Sequence, residues 1–72
     1  MLESYENYVV LKGTEYVVGV PYSDTGFIRM SISAYDGYPF PDFVSALRIA
    51  KVIGGLVMIL NRLTGEVRGG WQ

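Results

Sequence analysis

The sequence predicts an α+β fold: a β-β-β-α-β order with a final short strand, building a mixed or antiparallel sheet with one helix packed on one face. Three observations carry this reading. Residues 27–35 alternate apolar and polar side chains, the period of a half-buried strand. Residues 43–53 place Phe43, Ala46, Leu47, Ala50 and Ile53 at helical spacing behind an Asp42 suited to cap them, which is the pattern of an amphipathic helix lying on a core. Gly54-Gly55 then stops the helix and leads directly into five apolar residues, 56–60, a run long enough for a strand and too short for another helix.

The elements follow in order. Tyr8-Val9-Val10-Leu11 is a short apolar strand, Lys12-Gly13-Thr14-Glu15 a tight turn, and residues 16–20 a second β-branched run. Together they predict a hairpin. Pro21 ends it, because proline has no N–H for the ladder. Ser23-Asp24-Thr25-Gly26 is a turn signal. In residues 27–35, Ile28, Met30, Ile32 and Ala34 share one side and Phe27, Arg29, Ser31, Ser33 and Tyr35 the other,. Asp36-Gly37 turns the chain, and Tyr38-Pro39-Phe40-Pro41 is an extended bridge, since a residue before proline avoids the helical region. After the helix and strand 56–60, residues 61–66 read as a hairpin turn, 66–68 as a returning strand, and 69–72 as a flexible tail holding the only tryptophan, Trp71. If the strand before the helix and the strand after it share the sheet, their connection is expected to be right-handed.

The 72 residues are expected to form a single domain, 1–72,. Such a chain buries only ~60% of the surface its unfolded form exposes, so small domains commonly rely on a staple. There is no cysteine and no histidine, which removes disulfides, thiolate or imidazole metal sites and imidazole general bases. No cofactor and no metal are expected. A cysteine-free chain suits a reducing cytoplasm, the expected location. The acidic, polar start Met1-Leu2-Glu3-Ser4-Tyr5-Glu6 does not resemble a signal peptide. Arg48 and Lys51 interrupt the apolar stretch 43–60, each costing ~2.5–3.5 kcal/mol at a bilayer centre, so no membrane span is expected.

Self-association is the staple left. The apolar fraction is 50%, and the strand runs at 8–11, 16–20 and 56–60 are apolar on both faces, as in strands buried on both sides. One helix covers one face. Leaving four far-face side chains wet, among Val9, Val17, Val57 and Ile59, forfeits ~6–12 kcal/mol at ~1.5–3 each. A small domain has only ~5–15 kcal/mol in total. The expectation is a non-enzymatic protein-interaction module forming a homodimer through the uncovered sheet face, with Val9, Val17, Val57 and Ile59, or through an edge strand, with Val44 and Val52 on the helix joining the contact. Charge agrees: residues 1–42 carry net −4 and residues 43–72 net +3, which favours complementary contact within or between copies.

An alternative is weak nucleic-acid binding through Arg29, Tyr35, Arg62 and Arg68, with some of the ten aromatic side chains stacking on bases,. Only six lysines and arginines are present, few for phosphate contacts. Catalysis finds little support. Asp24-Thr25-Gly26 is the triplet of retroviral-type aspartic proteases, but Tyr22-Ser23 before it and Phe27 after it depart from that family's pattern, and a turn is the simpler reading. The dispersed glycines build no phosphate loop, and the serines have no histidine to activate them.

The segment Ser45-Ala46-Leu47-Arg48-Ile49-Ala50-Lys51-Val52-Ile53-Gly54-Gly55, with the strand and Thr64-Gly65-Glu66 turn behind it, resembles a pattern in small uncharacterised proteins of bacterial phages and prophages. The resemblance covers about a third of the chain. It implies a compact cytoplasmic accessory protein and transfers no functional residue.

Overall fold

The strands form in the order the hydrophobic pattern predicts, and the computed structural model of the chain describes residues 2–19 and 29–72. They are β1 (Glu6–Lys12), β2 (Glu15–Gly19), β3 (Arg29–Ser31), β4 (Leu56–Asn61) and β5 (Val67–Trp71), with helix α1 (Phe43–Ile53) between β3 and β4. A 3-10 helix, Ala34–Asp36, precedes α1. The sheet order is β3-β2-β1-β4-β5, and every neighbouring pair is antiparallel. The fold is α+β. Because β3 and β4 are three antiparallel steps apart, they also run antiparallel to each other. The handedness rule for parallel crossovers therefore does not govern their connection. Pro21, the Ser23-Asp24-Thr25-Gly26 turn and the start of the expected 27–35 strand lie outside the described residues.

The β1–β2 hairpin closes over Gly13-Thr14, with Lys12 opposite Glu15. Gly13 has φ 63, the sign the first central residue of a tight hairpin turn needs and glycine adopts freely. The two strands pair only as far as Leu11 and Tyr16, then part. Residues 38–40 fill the gap. The Tyr38 N–H donates to the Val17 carbonyl at 2.8 Å, and the Phe40 N–H to the Tyr8 carbonyl at 3.0 Å. Backbone groups that diverging strands would leave unpaired are thus satisfied, and Phe40 is delivered to the core.

Helix α1 begins where Asp42, in an extended conformation, accepts the Ser45 N–H on Oδ1 at 2.7 Å. It ends at Gly54, φ 75, in the left-handed region,. The second glycine has a different cause. A Cβ on Gly55 would lie 2.7 Å from the Leu11 carbonyl oxygen, so only glycine lets β4 start beside β1. Ala46 and Ala50 are fully buried and pack with Val10, Val17, Phe40 and Val57. Their small side chains bring the helix close to the sheet, while Phe43, Leu47, Ile49 and Ile53 flank that contact. Burying a valine such as Val10 or Val57 contributes ~1.5–3 kcal/mol.

The opposite face is not bare. Strand alternation sends Val9 away from the side of Val10, together with Met58, its partner on β4, and Leu60 beyond it. Val9 and Leu60 are nevertheless fully buried. Residues 33–37 roof this face, and Gly37 lies so close that a Cβ there would sit 3.0 Å from Val9 Cγ1. The chain leaves the sheet for this roof at Ser31. The Ser31 hydroxyl accepts the Ser33 N–H at 3.1 Å and donates to Asp36 Oδ2 at 3.0 Å. Such local side-chain bonds compete with a strand ladder. They end β3 well short of the expected Tyr35 and leave Ile32 80% exposed.

The C-terminus also differs from expectation. Residues 69–71 belong to β5 rather than to a flexible tail. Val57 is opposite Trp71 and Met58 opposite Gly69, so Gly70 is the extra residue of a β-bulge. Gly69 has φ 99 and Gly70 φ 128. The Trp71 indole folds back over Gly69, where any Cβ would overlap it, and meets Phe43 edge-on at 5.9 Å. That packing orders the strand end.

Candidate functional site

The structure divides the expected interface residues into two groups. Val9, Val17 and Val57 are fully buried and Ile59 nearly so, all within one chain. Val17 and Val57 belong to the core under α1. Ile59 shares their face through its pairing with Tyr8, and Val9 lies under the roof. None of the four is the wet far-face surface that the sequence suggests. The sequence does not announce the roof because residues 33–35 continue a strand-like alternation and Asp36-Gly37 reads only as a turn. Val44 and Val52 differ: they are 58% and 75% exposed.

These two valines flank a cationic stripe. Residues 44, 48 and 52 recur every four positions, so Val44, Arg48 and Val52 line the outer side of α1 over about 12 Å, with Lys51 beside them. Both basic residues are exposed, and α1 contains no acidic residue. A second exposed group lies across the sheet on the roof and the β4–β5 turn. Tyr35 is 51% and Leu63 73% exposed. The Tyr35 ring packs on Gly65, next in the chain to Glu66, and Asp36 follows Tyr35. Both acids are exposed.

The residues weighed for nucleic acid are not one stripe. Arg29 is on β3 and Arg68 on β5, the two edges of the sheet. Arg68 pairs with Glu6, whose side chain is only 6% exposed. That bond, with the Glu3 N–H donating to the other carboxylate oxygen, holds the Glu6 pKa below the usual carboxylate value and raises that of Arg68. Arg62 and Tyr35 do meet, through the backbone. Arg62 Nε donates to Asn7 Oδ1 at 2.7 Å, Nη1 to the Tyr35 carbonyl at 2.7 Å and Nη2 to the Gly37 carbonyl at 3.1 Å. All three acceptors are neutral. The planar fork ties the roof to β1, a task suited to arginine. Nothing local in the sequence marks Arg62 for it, because its partners lie 25 to 55 positions away.

No group of three or more potential metal ligands occurs among the described residues. Asp24-Thr25-Gly26 lies outside them. An open cleft of ≈ 530 Å³ runs beside the hairpin turn, lined by Lys12, Gly13, Thr14, Glu15, Met30 and Ile53. It has an apolar floor and one charge of each sign at the rim, without the convergent polar groups that orient a ligand. No helix among the described residues is long and apolar enough to cross a membrane. Compared with known proteins, the chain matches no family model, no curated protein and no solved structure.

Proposed function

We propose that this chain is a small non-enzymatic protein-interaction module whose first partner is a second copy of itself, and that the outer face of α1 is its contact surface. One observation carries the reading. The apolar strands are sheltered within one chain, yet Val44 and Val52 stand 58% and 75% exposed on a helix capped at both ends. Single exposed apolar residues are ordinary. Two on one helical stripe, with Arg48 and Lys51 between them, form a surface with both apolar anchors and charge.

The magnitude is modest. Covering both valines contributes about 2–4 kcal/mol, which alone supports association no tighter than about millimolar. Charge must strengthen and orient the contact. The test is mass in solution by sedimentation across a dilution series. The reading expects species above 8.0 kDa at high concentration, and their loss in Val44→Ser/Val52→Ser with the fold intact by circular dichroism. A single 8.0 kDa species at every concentration would sink it.

A further inference from the structure

We infer that copies associate head to tail: the outer face of α1 in one copy docks on the roof and β4–β5 turn of the next. This rests on the self-association proposed above and specifies its geometry. The two surfaces lie on opposite sides of the sheet, because α1 packs on the side of Val10 and Val57 while the roof packs on Val9, which strand alternation directs the other way. They are complementary in kind. One presents Val44 and Val52 around Arg48 and Lys51; the other presents Tyr35 and Leu63 beside Asp36 and Glu66.

A symmetric pairing of two α1 faces fits less well. A two-fold contact places each patch against itself. Setting Val44 of one helix against Val52 of the other brings the two Arg48 side chains together at the axis, with both Lys51 nearby and only the capping Asp42, already engaged by Ser45, as an acid at either helix. Like charges across an interface oppose association. The roof and β4–β5 turn instead offer the exposed acids Asp36 and Glu66, with Asp36 also accepting from Ser31 and the nearby Arg62 occupied by the Tyr35 and Gly37 carbonyls. The sheet edges offer little competition. Among the described residues β3 has three, and β5 carries a two-glycine bulge and Arg68, features that blunt an edge.

A head-to-tail contact leaves one surface of each kind free at the ends, so assembly continues past two copies unless the rotation closes a ring. The experiment uses charge reversal on each face and on both. Arg48→Glu/Lys51→Glu and Asp36→Lys/Glu66→Lys are each expected to weaken self-association about 100-fold or more. The chain carrying all four changes is expected to regain it, because attraction is restored with the signs exchanged. Association of the unaltered chain should weaken as salt rises. Each variant is checked for folding by circular dichroism, and Asp36→Asn/Glu66→Gln replaces the roof reversal if that one fails to fold. If a folded roof variant associates like the unaltered chain, or the four-change chain stays monomeric, the head-to-tail geometry is overturned while self-association stands. If the unaltered chain never associates, self-association itself fails and this geometry with it.

Discussion

Arg62 and Asn7, 55 positions apart, are joined by a 2.7 Å hydrogen bond from the guanidinium Nε to the side-chain Oδ1. The same guanidinium holds the Tyr35 and Gly37 carbonyls, so one side chain fastens the roof to the central strand.

Replacing Arg62 therefore tests the roof. Arg62→Ala removes hydrogen bonds with a charged donor and leaves three acceptors to find other partners, a loss of about 2–3 kcal/mol. For a domain of this size that is a fall in Tm of about 10–20 °C. Arg62→Lys keeps the charge and loses the fork, so it is expected to recover only part of the stability. Thermal melts followed by circular dichroism give the order: native above lysine above alanine. Equal melting of all three would mean that the roof does not depend on this side chain.

The paired glycines after α1 are expected to respond unequally. At Gly54 an added Cβ has open space but φ is 75, so Gly54→Ala costs about 1–2 kcal/mol from backbone conformation alone. At Gly55 the Cβ would press on the Leu11 carbonyl, and displacing a neighbouring strand costs about 3 kcal/mol. Urea titration should rank Gly55→Ala as the more damaging change. The reverse ranking would contradict the close approach of β1 and the start of β4.

Trp71 is the only tryptophan, so its fluorescence reports on the end of β5. Its emission is expected to shift red on unfolding in the same transition as the far-ultraviolet signal. Trp71→Ala removes the contact with Phe43 and the cover over Gly69, for a loss of about 1–2 kcal/mol. Amide exchange at Arg68 and Val67 should accelerate. A Trp71 already solvent-like in native buffer would instead indicate a free C-terminus.

Acid should weaken the fold through Glu6 and Asp42. Arg68 and the Glu3 N–H depress the Glu6 pKa from the ordinary 4.5; the backbone N–H and hydroxyl of Ser45 depress that of Asp42 from 3.8. A carboxylate depressed in the folded state binds protons more readily when unfolded. Its stabilisation is complete above those ordinary values and is lost as pH falls through the lower folded ones. Urea midpoints should stay level from neutrality to about pH 5 and drop below it. Glu6→Gln should flatten part of that drop. A midpoint that rises on acidification would contradict both assignments.

The helix and its limits were readable from sequence because they depend on neighbours: Asp42 bonds Ser45, and Gly54 sits just beyond Ile53. The hairpin turn at Gly13 was readable for the same reason. Residues 32–37 were not. Through Tyr35 their alternation reads as strand, Asp36-Gly37 reads only as a turn, and the Ser31 hydroxyl that turns the chain away has no periodic signature. The roof then removes the expected shortage of cover, which is why Val9 is dry; Val44 and Val52, on the outer side of α1, remain outside. Trp71 was misread because an aromatic that steadies a two-glycine strand must first fold back on it. Arg62 was visible as a cation, but its purpose depends on carbonyls brought near only by the finished fold.

The insertion of residues 38–40 between β1 and β2 also constrains how the molecule assembles. A hairpin joined by two residues would ordinarily zip shut by itself. Here the Tyr8 and Val17 carbonyls take donors from residues 38 and 40, so the first two strands are fully bonded only when that later stretch of chain lies between them. Neither half is a finished unit without the other, and the whole should melt in one step.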